Sequence, residues 1–133
     1  MLTDFSLIER SSGRIVVERL ELAAGYWSRM AGLQLRASLP AGGGLLLVPC
    51  ASVHTMMMRF AIDVVMLDAT GKVLGIRRNV RPWRLAMAPR GTHAVLELPG
   101  ETGWVLPGDV LALHSSKKGA ALPRALQFLQ AAR

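Results

Sequence analysis

Residues 50–68 constrain this chain more than any other stretch, and within them residues 62–67 read IDVVML. The run is apolar apart from Asp63 and rich in Val and Ile, the pattern of a strand covered on both faces. An acid in such a run is either paired or placed at the strand's exposed end, because burying a lone carboxylate is costly. The preceding residues, 50–61, read as a loop that feeds this strand. The stretch 50–68 holds the single cysteine, one of three histidines and four of the seven methionines.

The rest of the chain breaks into short runs between Gly and Pro turns. Residues 14–22 predict a strand, and residues 3–8 a partner for it, with Ser11-Ser12-Gly13 as the turn. Residues 25–35 predict one short helix, with Trp27, Met30 and Leu33 three apart on one face. Pro40 and three successive glycines make 36–44 a loop, and 45–48 is a short buried strand ended by Pro49. Residues 68–71 form a turn, and 72–78 the returning strand of a hairpin. Residues 79–92, with Pro82, Pro89 and Gly91, predict a long irregular connection. In 93–98 alternation puts Ala94, Leu96 and Leu98 on one face and Val95 and Glu97 on the other. Residues 109–114 are the last strand. Residues 120–132 predict an amphipathic helix with Leu122, Ala125, Leu126 and Leu129 on one side. Six or seven short strands at near-regular spacing predict an all-β fold, a small sandwich or barrel.

Length makes one domain over residues 1–133 the natural expectation. A chain of that size buries about two thirds of its unfolded surface, so it needs no staples. With 51% hydrophobic and 19% charged residues the composition is globular. A lone cysteine excludes an internal disulfide. No stretch reaches 18 consecutive apolar residues, so no membrane-spanning helix is expected, and the N-terminus lacks the basic and apolar blocks of a signal peptide. The expectation is a cytoplasmic protein, monomer or weak dimer. Net charge is +7, with Arg supplying 13 of the 16 basic residues. That balance favours nucleic acid, anionic lipid or an acidic partner, against the plainer reading of a solvated Arg-rich surface.

Several pieces together resemble one family. They are Arg29-Met-Ala-Gly32-Leu33, Arg36, the apolar LLLVP, His54-Thr55, Met58, Ile62-Asp63-Val64-Val65 and Leu67-Asp68. Gly71-Lys-Val73, Leu96-Glu97-Leu98-Pro-Gly100 and Gly108-Asp109 follow. Over roughly residues 14–114 the chain is similar to the domain of unknown function 192, a bacterial and archaeal family. The resemblance implies a compact, mainly β domain, sometimes behind a secretion signal, and no established activity. Leu46 or Leu47 and Met66 stand where that family often has Phe, and Ala61 where it often has Pro. These swaps stay apolar and bear on packing. The C-terminal helix lies outside the match.

The candidate site residues fall in the same motifs. Asp63 and Glu97 are acids in apolar runs, and Arg29, Arg36, Arg59 and Arg77 lie near them in the motif stretches. A guanidinium takes a carboxylate bidentately, so these groups either hold one another or leave an arginine for a ligand. The leading expectation is a binding or accessory module whose polar pocket uses His54, Thr55, Arg59, Asp63, Arg29, Arg36 and Glu97. A small anion, a sugar or a partner peptide would fit it. No cofactor is called for.

Two other readings compete. Cys50, His54 and Met58 are spaced by four and form a soft ligand set suited to copper. Cys50 with His54 or His93 as base could instead serve nucleophilic catalysis. The plainer reading is a small buried thiol and gap-filling methionines. Residues 77–90 hold five arginines around Trp83, the mixture single-stranded nucleic acid binding uses, but no RNA-binding signature accompanies them.

Overall fold

The structure is a computed structural model, and it describes residues 1–25, 29, 38–50, 58–100 and 105–130, with 52–54 as backbone. Among the described residues ten strands follow one another: β1 (Ser6–Glu9), β2 (Ile15–Val17), β3 (Arg19–Ala23), β4 (Gly43–Leu47), β5 (Ser52–His54), β6 (Ile62–Leu67), β7 (Val73–Val80), β8 (Leu85–Met87), β9 (Ala94–Pro99) and β10 (Leu111–His114). They make a five-stranded sheet in the order β3-β4-β9-β6-β7, a three-stranded sheet β10-β1-β2 and a two-stranded ribbon β5-β8. Among the described residues none of the three sheets closes on itself, so the barrel alternative gives way to a sandwich.

The centre of the five-stranded sheet is buried on both faces, which explains why β6 is buried at all six positions. Its first face carries Leu20, Leu22, Leu46, Val65, Leu67, Ala94, Leu96 and Leu98. These side chains share a core with Leu7, Val16, Val17 and Leu111 of the three-stranded sheet. The second face carries Ala23, Leu45, Leu47, Ile62, Val64, Met66 and Val95. Leu39, Met58 and Ala86 cover it, with Cys50, Phe60 and Ala88 at the margin. The described ends of the connections between β3 and β6, together with β8, therefore pack as a third layer.

Where residues 14–22 were expected as one strand, the chain changes sheets at Glu18. The backbone N–H groups of Glu18 and Arg19 both donate to the Gly42 carbonyl, at 2.8 and 3.3 Å. β2 then lies over β4 so closely that a Cβ on Gly44 would stand 2.9 Å from Val17 Cγ2 and 3.1 Å from Leu98 Cδ2. Only glycine permits that approach. The pairing of β3 with β4 is parallel, the other pairings within the five-stranded sheet antiparallel.

The expected helix at 25–35 lies almost wholly outside the described residues. The expected C-terminal helix is a 3-10 helix over Arg124–Leu129. Pro123 precedes it, and Gln130 is already extended. Leu126 and Leu129, three apart, point the same way at three residues per turn and are fully buried in the first core. The tail thus closes one end of the sandwich. Residues 79–92 are also more ordered than expected, since β7 runs on to Val80 and β8 pairs with β5.

Candidate functional site

The register separates the two acids that the sequence put together. On β6 and β9, Asp63 stands opposite Leu98, while Glu97 stands opposite Val64. Neighbours on a strand face opposite ways, so Asp63 belongs to the first face and Glu97 to the second. Both are buried, at 1% and 2% exposure.

Asp63 is held by its own chain. Its Oδ1 accepts the backbone N–H of Asn79 at 2.9 Å, and its Oδ2 lies 3.8 Å from the Arg78 guanidinium. Asn79 has φ 53°, in the left-handed region. The pairing of β6 with β7 slips between Ile62 and Val64, so β7 bulges where Asp63 faces it. The carboxylate fixes that bulge. Its arginine is Arg78, which the sequence reading passed over in favour of Arg77. Arg78 also donates to the Val105 carbonyl.

Glu97 sits in a different setting. Following the register across the sheet gives the row Glu21, Leu45, Glu97, Val64, Arg77 on the second face. Glu21 and Glu97 are two strands apart, roughly 10 Å at the usual spacing. With a leucine between them they cannot share a proton; they can each accept from a different donor group of one ligand. Glu21 is half-buried and borders a cleft of about 230 Å³ lined also by Leu2, Glu18, Arg19 and Pro40–Gly43. A second cleft of about 310 Å³ lies on the other side of the same glycine segment, against Ile15, Val16 and Leu98–Gly100. Sequence reading missed Glu21 because β3 looks like an exposed alternating strand; only its parallel pairing with β4 puts it in line with Glu97.

The other expected site residues are dispersed. His54 stands opposite Leu85 on the β5-β8 ribbon, whose Ala86 packs on the second face. Arg59 is exposed. Arg29 donates from Nη1 to the Ala24 carbonyl at 2.9 Å. Thr55 and Arg36 lie outside the described residues. Met58 is buried in the second core, and Cys50 is half-buried at its edge. The Cys50 backbone N–H donates to the His93 carbonyl at 2.9 Å, and the His93 ring packs edge-on against Phe128, centroids 4.8 Å apart. His114 is exposed on β10. Among the described residues no three His, Cys, Asp or Glu side chains gather as a metal site would require.

Comparison with known proteins bears on the whole of this scaffold. Residues 7–110 match the model of DUF192, described as uncharacterized ACR. The chain belongs to this family. A relative described as a UPF0127 protein, from Thermococcus sibiricus, is 29% identical over 131 residues, covering 92% of this chain and 84% of its own. A crystal structure of a protein of unknown function from Novosphingobium aromaticivorans is similar with a TM-score of 0.68 at 23% identity, over 80% of this chain and 81% of that one. A proposed transcription regulator from Sinorhizobium meliloti is similar with a TM-score of 0.74 at 24% identity, over 85% of this chain and 94% of that one. At those identities the likeness concerns the fold alone.

Proposed function

We propose that this protein is a binding or accessory module, and that its ligand is rich in hydrogen-bond donors, a sugar being the simplest case. The carrying observation is Glu97, a carboxylate buried on the second face between Leu45 and Val64. A carboxylate only accepts, so as an anchor it selects hydroxyl or ammonium groups and works against a free anion. Glu21 in the same row offers a second acceptor. Arg29, Arg36, Arg59, His54 and Thr55 belong to the connections that lead to and from β4, whose Leu39, Met58 and Phe60 pack on this face. In this reading they supply the remaining polar contacts. Asp63 serves the scaffold.

The test is a thermal-shift screen against mono- and oligosaccharides, amines and phosphate. A ligand that binds the native state raises the melting temperature by mass action, by ~2.7 kcal/mol of stabilisation at a hundredfold excess over Kd. The expected result is a shift with a sugar that vanishes in Glu97→Gln and persists in Asp63→Asn. Shifts that persist in Glu97→Gln, or a shift with phosphate alone, would overturn the assignment. The enzyme or metal reading centred on Cys50, His54 and Met58 has no comparable support, since Met58 is buried in the core.

A further inference from the structure

The surface around β8 has a property the binding reading does not use. Ala86 is buried against the second core, which turns its neighbours outward: Leu85 and Met87 are each 65% exposed. Trp83, just before them, is 60% exposed and has φ 64°. A bulky side chain in the left-handed region costs roughly 1–2 kcal/mol in backbone energy, so the fold holds this ring out at some expense. Three large apolar side chains within five residues thus face solvent together. The stretch of chain that carries them has charge of one sign. From residue 69 to residue 96 the chain has no Asp or Glu, and it has Lys72, Arg77, Arg78, Arg81, Arg84 and Arg90.

We propose that the outward side of β8, with Trp83, docks on an anionic phospholipid surface. Leu85 and Met87 enter the boundary between headgroups and acyl chains, Trp83 lies at headgroup level, and the arginines meet the lipid phosphates. Single-stranded nucleic acid would use the same charge, but it needs flat rings for stacking, and two of the three apolar groups are aliphatic. No described helix is long and apolar enough to cross a membrane, so the association is peripheral and reversible. The proposal uses neither Glu97 nor Glu21, and its test reads lipid binding and not the sugar-dependent shift.

The experiment is co-sedimentation of the full chain with vesicles of phosphatidylcholine alone and with roughly a third phosphatidylglycerol, which gives the surface the negative potential that attracts basic segments. Binding is expected only to the anionic vesicles, falling steeply in high salt. Leu85→Ser with Met87→Ser should weaken it at least tenfold, and Arg81→Ala with Arg84→Ala about fivefold per arginine. Brominated lipid should quench the fluorescence of the parent and not of Trp83→Phe. Melting temperatures of the variants control for folding, because the altered side chains are exposed. Two results would overturn the proposal. One is a parent chain that does not bind anionic vesicles, or whose binding Leu85→Ser with Met87→Ser leaves unchanged. The other is tighter binding to a thymidine oligonucleotide at the same salt that survives those substitutions.

Discussion

Asp63 offers the sharpest test of whether a buried acid in this fold is structural. Asp63→Asn keeps the shape and one carbonyl oxygen, so the Asn79 N–H, now at 2.9 Å from Oδ1, keeps an acceptor. What is lost is charge, and with it the attraction to Arg78. That pair is 3.8 Å apart with the arginine side chain 38% exposed, so solvent screening limits it to about 1 kcal/mol or less. The loss of a charge-assisted acceptor brings the expected cost to roughly 1–2 kcal/mol. Asp63→Ala removes the acceptor as well and leaves the Asn79 N–H buried at the bulge, for about 3 kcal/mol in all. For a chain of this size each kcal/mol lowers the melting temperature by roughly 3–5 °C. Urea unfolding of the parent and both variants measures the costs directly. The expected order is Asp63→Ala well below Asp63→Asn, with unchanged slopes. If Asp63→Asn costs nothing and Asp63→Ala costs no more than about 1 kcal/mol, the carboxylate does not fix the bulge.

Two further outcomes follow from the geometry. Gly71 has φ 85°, and a Cβ there would stand 2.6 Å from the Leu111 carbonyl oxygen, whose residue donates its own N–H to Gly71 at 2.9 Å. Gly71→Ala should therefore cost about 3 kcal/mol or more, seen as a melting temperature lowered by roughly 10 °C. In acid, burial raises the Asp68 carboxyl, but hydrogen bonds from the Thr70 hydroxyl and the Thr70 and Lys72 backbones, with the Lys72 charge, outweigh it and leave it below the ordinary carboxylate range. Hydrogen bonds from Ser11 and then Ser12 lower Glu9 likewise. A folded value below the unfolded one stabilises above the unfolded value and is lost as pH falls through the folded one. The melting temperature should hold from neutral pH down to about 5, then fall below about pH 4, less steeply in Asp68→Asn.

Much of this fold could be read from local pattern. The apolar run over β6, the turn at Asp68–Gly71 and the alternation in β9 each come from a handful of adjacent residues. The break at Glu18 could not be read, because what ends β2 there is the Gly42 carbonyl, 24 positions away. β8 was hidden for a related reason. Its three residues are Leu, Ala and Met between prolines, and they become a strand only because β5 pairs with them.

The candidate site divides along the same line. Burial of Asp63 and Glu97 followed from their apolar neighbours, but their separation depends on how β6 meets β9. Had the register slipped by one, Asp63 would stand opposite Glu97, and two acids would crowd one face. With Asp63 opposite Leu98 instead, each face of the sheet takes one of the two acids. The first face spends its acid on the bulge of β7, beside an arginine of that strand. The second face sets its acid in line with Glu21, one strand beyond Leu45. A buried acid tied by the strand next to it stiffens the sheet. In the proposed reading a ligand with two donor groups spans Glu97 and Glu21, whose side chain borders a cleft, which is why Glu97 and not Asp63 is the residue to test for a ligand.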